Sequence, residues 1–181
     1  MKKNILIFGG NGLIGNSLLN SKNLLSKYNL ICLDKNSSNI KNKKTFFKVD
    51  TNQPSEILKN INKISKIYGP IYGLINTTYP KVLQKKKPNK INSELFLKEI
   101  NIHLGSFLNT TQIMCDYFLN KKIKGKIINF ASIYGEFIPR FEIYNNTKII
   151  APLQYSIIKN SIITMSKYFA KFFLKKKINI N

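Results

Sequence analysis

Apolar residues along this chain fall in short runs set between turns and segments of helical period, and the elements they predict alternate. Asn4 to Phe8 (NILIF) reads as a strand that stops at glycines, and Leu13 to Leu19 carries helical spacing. Leu30 to Leu33 and Thr45 to Val49 read as the second and third strands, with a helix from Pro54 to Ile64 after them. Ile71 to Ile75 (IYGLI) is a fourth, buried strand, and Glu94 to Leu119 is a long helix. Lys126 to Phe130 is a fifth strand. The last helix runs from Tyr155 to about Leu174, with Ile157, Ile158, Ile162 and Met165 assigned to the core by their spacing. Between them, Glu136 to Gln154 reads as a long irregular connection, and Lys81 to Lys90 as a solvated lysine-rich loop. Strands alternating with helices predict an α/β fold: a doubly wound parallel sheet, Rossmann-like, with helices on both faces and a ligand along the C-terminal ends of the strands.

Length and composition narrow this picture. A chain of 181 residues with 43% hydrophobic content supports one globular domain spanning residues 1–181. No apolar run reaches the ~20 residues that span a bilayer. The opening MKKNILIFGG meets glycines before a signal-peptide core forms, so a cytoplasmic location and no membrane partner are expected. Cys32 and Cys115 lack metal spacing and read as buried free thiols. The formal charge of +22 raises nucleic acid as a partner. Arg140 is the only arginine, however, and the lysines are scattered through every segment. Such a surface gives salt-sensitive, non-specific affinity, and no specific nucleic-acid partner is expected.

The candidate chemistry sits where the predicted strands end. The turn GGNGLIG places Gly9, Gly12 and Gly15 at intervals of three between the first strand and the first helix. Glycines there let the backbone turn sharply and approach a pyrophosphate, although a generic glycine turn has the same composition. Asp34 follows Gly15 by 19 residues, at the tip of the second strand, where a carboxylate accepts ribose hydroxyls and repels a 2′-phosphate. NAD is therefore favoured. Lys35 next to it leaves NADP open, and a loop carboxylate is the other reading of Asp34. Asp50 ends the third strand, Asn76 the fourth, and Ser132 follows the fifth. Asn101 is an asparagine in mid-helix, mildly unfavourable there, and His103 is the only histidine, which offers neither a metal site nor a triad. Tyr155 and Lys159 stand four apart, on one face of the last helix, so that an ammonium can act on a phenol. By itself that pair is also an ordinary surface pair.

Taken together, Gly9-x-x-Gly12-x-x-Gly15, Asp34, Asp50, Asn76, Asn101, Ser132 and Tyr155-x-x-x-Lys159 resemble the short-chain dehydrogenase/reductase family over essentially the whole chain. The resemblance implies an NAD(P)-dependent oxidoreductase moving hydride between nicotinamide and a secondary alcohol or ketone. It implies that Gly9, Asn11, Gly12, Leu13, Ile14, Gly15, Asp34, Asp50 and Asn76 meet the cofactor. Tyr155 would be the general acid/base. Lys159 would lower its pKa and bind the nicotinamide ribose, Ser132 would hold the substrate oxygen, and Asn101 would support a proton-relay water. Asn-Thr-Thr-Tyr-Pro at 76–80 and the segment 133–162 are similar to oxidoreductases of bacterial surface-polysaccharide and flagellin-modification clusters. That narrower resemblance implies a sugar or sugar-nucleotide substrate.

The chain departs from the family's pattern at three places. Phe8 stands where many members have threonine, and Thr77, Thr78 and Tyr79 replace Asn-Ala-Gly. At the end, Ile178 to Asn181 opens a sixth strand, whereas members continue with a Pro-Gly turn, a substrate-covering segment and a seventh strand. The expectation is a C-terminally incomplete sheet with exposed apolar surface and one wall of the nicotinamide site missing. Full-length members are expected to be homo-oligomers, an assembly in doubt for this chain. A dinucleotide-binding or interaction module without chemistry is the alternative function.

Overall fold

The computed structural model describes residues 2–39, 45–79 and 90–181. Pro80 and the expected lysine-rich loop, Lys90 excepted, lie outside the described residues. Six parallel strands form one open sheet: β1 (Lys3–Phe8), β2 (Tyr28–Asp34), β3 (Phe46–Lys48), β4 (Ile71–Asn76), β5 (Lys126–Asn129) and β6 (Asn179–Ile180), in the order β3-β2-β1-β4-β5-β6. The chain steps outward from β1 to β3 and then crosses back over β1 to lay down β4 to β6. This is the doubly wound arrangement, with the order reversing between β1 and β4, where such sheets hold ligands.

The neighbouring strands β1 and β2 are apolar on both faces because helices cover both, whereas β5 alternates between buried and exposed positions and leaves Ile128 44% exposed. Leu6, Ile7, Phe8, Ile31, Cys32 and Leu33 are fully buried. Both thiols are buried and free, and burial pushes each up to about 12, with Asp34 and Asp116 adding to it at Cys32 and Cys115 respectively. The exception in β1 is Asn4, buried but satisfied: its amide donates to the Tyr68 and Pro70 carbonyls at 2.8 and 2.9 Å and accepts from Asn29 at 2.7 Å. It fastens the end of a helix to the N-terminal edge of the sheet.

Among the described residues five helices connect the strands. The first, α1 (Leu13–Leu19), matches the expected span. The second, α2 (Lys22–Lys27), has no buried residue and hence no apolar stripe to announce it; Ser21 caps it by accepting from the Leu24 N–H at 3.4 Å. Pro54 opens α3 (Pro54–Tyr68), Ile57, Ile61 and Ile64 form its buried stripe, and Gly69 at φ +85° ends it, four residues beyond the expected stop. The long α4 (Ser93–Asn120) is capped by Asn92, which accepts from the Leu95 N–H at 2.9 Å. The last, α5 (Leu153–Phe173), buries Ile158, Ile162 and Ser166. Ile157 is a correction: it is 37% exposed, because one residue from Ile158 turns it about 100° away from the core. The connection is irregular over 136–152 apart from a 3-10 turn at Phe141–Tyr144, with α5 taking in the last two residues of the expected span, and a second 3-10 turn, Ile133–Gly135, follows β5.

Candidate active site

At the C-terminal end of β1 the backbone turns through Gly9, whose φ of +76° favours glycine and where a Cβ would stand 2.7 Å from the Thr78 nitrogen. A Cβ on Gly15 would collide with the Gly9 carbonyl oxygen, so the start of α1 lies directly against the turn. Thr77 ties the tip of β4 to the same place, its hydroxyl donating to the Phe8 carbonyl at 2.8 Å. The turn is thus an open bend in which Gly9, Gly10 and Gly12 carry no side chain and that of Asn11 is drawn aside to Ser38 and Asn39, a shape that a diphosphate fits. Leu13, 92% exposed, and half-exposed Ile14 stand beside it.

Asp34 closes one side. Its carboxylate accepts from the Asn11 N–H at 3.0 Å and the Asn36 N–H at 3.1 Å, while the Asn11 side chain bonds Ser38 and Asn39. The loop after β2 is thereby strapped to the glycine turn. Lys35 does not stand free: its ammonium pairs with Asp50 at 2.9 Å. Burial pushes the Asp50 carboxyl up, but hydrogen bonds from Lys35 and Asn52 and the ammonium charge outweigh it and hold the group below its ordinary value.

Two hollows meet here. A cleft of about 460 Å³ has Gly9, Gly12, Leu13, Ile14, Asp34, Tyr155 and Lys159 among its walls. A neighbouring hollow of about 360 Å³ is lined by Asp34, Lys35, Asn36, Val49, Thr51 and Asn52, and shares Gly9, Thr78 and Tyr79 with the first. Asn76 lies beneath, buried. Its amide donates to Thr110 at 2.8 Å and accepts from the Thr78 N–H and hydroxyl at 3.0 and 2.7 Å. From Thr78 a chain of buried hydroxyls runs through Ser106 to Thr51. These bonds hold the tip of β4 and the loop after β3 to α4, so both walls have fixed positions.

Tyr155 and Lys159 lie on the first turns of α5. Lys159 is 6% exposed, and its ammonium stands 5.8 Å from the centre of the Tyr155 ring and donates to the Phe130 carbonyl at 2.8 Å. Burial pushes this amine down to about 8. Ser132 heads the 3-10 turn after β5, accepting from the Tyr134 N–H at 3.2 Å. Asn160 donates to the Gly135 carbonyl at 2.7 Å and binds that turn to α5, which couples the position of Ser132 to that of the Tyr155 helix. Ala131, immediately before it, lines the cleft itself.

The structure therefore gathers the glycine turn, Asp34, Tyr155 and Lys159 at one cleft, with Asn11, Asp50, Asn76 and Ser132 bracing or bordering it. Asn101 it leaves outside. That side chain is exposed, and its oxygen lies on the α4 surface near Gly105 and Asn52 rather than beside Tyr155. Two residues along a helix is a turn of about 200°, and it is His103 that turns inward, toward Tyr79 and a small hollow shared with Tyr155. His103 is 3% exposed and meets the Tyr79 ring edge-on at 5.2 Å, while Tyr79 meets Tyr155 at 5.7 Å. Buried Glu99 accepts from the Gln154 amide at 2.7 Å in the same corner. The available signal was helical period: Glu99, His103, Ser106 and Thr110 are polar residues spaced along one buried face of α4.

Burial pushes His103 from 6.5 down to about 4, with Glu99 raising it and Lys159 lowering it. Its imidazole is neutral in the folded protein at pH 7. As pH falls through the window from 6.5 to about 4, the unfolded chain takes up a proton that the folded one refuses, so stability declines there. Urea unfolding at pH 7 and pH 4.5 should differ by up to roughly 3 kcal/mol more in the natural chain than in His103→Gln.

The family model for short chain dehydrogenase matches residues 3–181. This chain belongs to that family. This short-chain dehydrogenase is 30% identical to the post-translational flagellin modification protein A of Campylobacter coli, an alignment covering 99% of this chain and 74% of that protein. It is 25% identical to the 3-oxoacyl-[acyl-carrier-protein] reductase of Thermotoga maritima, over 87% of this chain and 58% of that one. A crystal structure of a short chain dehydrogenase from Leptospira borgpetersenii with bound NAD+ superposes on it with a TM-score of 0.82 at 28% identity, covering 100% of this chain and 69% of the other. The family and the open Rossmann-like sheet agree with the expectations from sequence. Among the described residues no helix is long and apolar enough to cross a membrane.

Proposed function

We propose that this short-chain dehydrogenase is an NAD(H)-dependent oxidoreductase that interconverts a secondary alcohol and a ketone on a sugar or sugar nucleotide. The observation that carries the reading is the shared cleft: the bare glycine turn and Asp34 border the same space as Tyr155 and Lys159. Gly9, Gly12 and Gly15 would hold the diphosphate, with Leu13 and Ile14 covering it, and Asp34 would take the adenosine ribose. Lys35 is engaged by Asp50, which leaves the carboxylate of Asp34 to set the preference and favours NAD over NADP.

When bound, the nicotinamide accepts or gives the hydride at its C4. In alcohol oxidation the Tyr155 phenolate takes the hydroxyl proton as the carbinol C–H bond breaks and the C=O bond forms; in ketone reduction Tyr155 returns that proton to the oxygen. The Lys159 ammonium, one helical turn away, attracts the phenolate charge, and Ser132 donates to the substrate oxygen. Similarity to a post-translational flagellin modification protein supports a role in flagellin modification, and the sugar as substrate rests on the resemblance of residues 76–80 and 133–162. NADH fluorescence should change on titration, with NADPH binding at least about tenfold more weakly and Asp34→Ala narrowing the gap. Oxidation of bound NADH by keto-sugars is then followed by absorbance. Binding without turnover would favour a nucleotide-binding module, and no binding would end both readings.

A further inference from the structure

Beside the two hollows of the candidate site lies a third, much smaller one. It holds about 10 Å³ and is lined by Tyr79, Glu99, His103, Gln154, Tyr155 and Ile158, with Pro152 at its rim. Tyr79 and Tyr155 belong both to it and to the cleft, so the small one opens beside the proton-transferring phenol. Its size admits one group no larger than a water or hydroxyl.

The chemistry of its walls is specific. Among the described residues the His103 imidazole takes part in no hydrogen bond, and its ring meets Tyr79 edge-on at 5.2 Å. Its nitrogens are not sealed in the interior, where Asn129 Oδ1 is the buried polar atom left unbonded, so a group entering the hollow that His103 lines can bond them. Neutral imidazole has one donor and one acceptor nitrogen, which matches a hydroxyl, itself both donor and acceptor. An anionic group would meet the Glu99 carboxyl, held 2.7 Å from Gln154 in the same wall. An alkyl group would leave the imidazole unpaired.

We propose that His103, backed by Glu99 and Gln154, forms a hydroxyl-binding subsite that selects substrates carrying a second hydroxyl close to the carbon being oxidised or reduced. The inference rests on the oxidoreductase reading and narrows its substrate class to vicinally hydroxylated carbinols. It makes His103 a specificity residue touching substrate. Gln154 and Glu99 act through it and through the shape of the hollow.

The test uses NADH- or NAD+-loaded protein with methyl hexopyranosides and the corresponding monodeoxy and keto derivatives. The natural chain should favour the hydroxylated member of one pair by roughly ten- to a hundredfold in kcat/KM. His103→Phe should bring that ratio to within about twofold while leaving NADH affinity unchanged, and His103→Asn, which keeps a donor and an acceptor, should retain part of it. His103 is the only histidine, so its imidazole gives the only histidine ring signals in a nitrogen-detected NMR spectrum. Those signals should move on adding the hydroxylated glycoside and stay with the deoxy one. Movement without turnover would retain the subsite and remove the redox reading. No movement with any glycoside, or a His103→Phe variant with the natural discrimination, would overturn the subsite whether or not the protein turns over.

Discussion

Tyr155→Phe should lower turnover by roughly 10²–10⁴-fold, the range general acid/base groups supply, while NADH affinity stays within about twofold. The substitution removes one oxygen and little else. The ring remains, so its edge-on contact with Tyr79 at 5.7 Å survives, and Lys159 keeps its bond to the Phe130 carbonyl at 2.8 Å. The glycine turn and Asp34 lie on other elements and are untouched. What disappears is the group that exchanges a proton with the substrate oxygen. Stopped-flow absorbance at saturating NADH and keto-sugar reads the loss directly, and fluorescence titration of the same sample reads the retained affinity. A variant with natural turnover would falsify the assignment of Tyr155 as acid/base. A variant that lost cofactor affinity in step with turnover would instead give the phenol a role in binding.

Lys159→Met should do two things at once: abolish turnover as severely as Tyr155→Phe, and stabilise the protein in the absence of nucleotide. Burial pushes Lys159 from 10.5 to about 8, so at pH 7 the folded chain carries an ammonium in a place that resists it. The difference corresponds to roughly 3 kcal/mol of destabilisation at neutral pH. Methionine relieves that cost and forfeits the bond to the Phe130 carbonyl, worth about 1 kcal/mol, which leaves a net gain of about 1–2 kcal/mol. The pH dependence distinguishes this cause from better packing. Between about 8 and 10.5 the unfolded chain holds the proton that the folded one has shed, so the natural protein gains stability as pH rises there. The advantage of Lys159→Met in urea unfolding should therefore shrink across that interval. An advantage that is constant with pH, or a loss of stability at pH 7, would remove the claim that this amine is kept charged at the expense of the fold.

Both predictions concern residues that the sequence singles out, because their meaning is local. Four residues on a helix is one turn whatever surrounds it, and three glycines between an apolar run and a helical segment define a bend before any tertiary contact forms. The same holds for the alternating strands and helices, whose periods are read from near neighbours. The boundary differences are likewise local in origin. The helix α2 has a serine cap but no buried side chain, so hydrophobic period had nothing to register.

Sequence alone determined the class of fold, the glycine bend, the acidic tip of β2, the buried thiols and the tyrosine–lysine turn, since each is written in spacings of a few residues. Only the tertiary structure decided that His103 and not Asn101 lines the small hollow beside Tyr155, that Lys35 is held by Asp50, and that Glu99 and Gln154 meet from helices far apart in the chain. The reason is rotational phase. Each residue advances a helix by about 100°, and which part of that circle meets the site depends on how the helix docks against strands elsewhere in the chain.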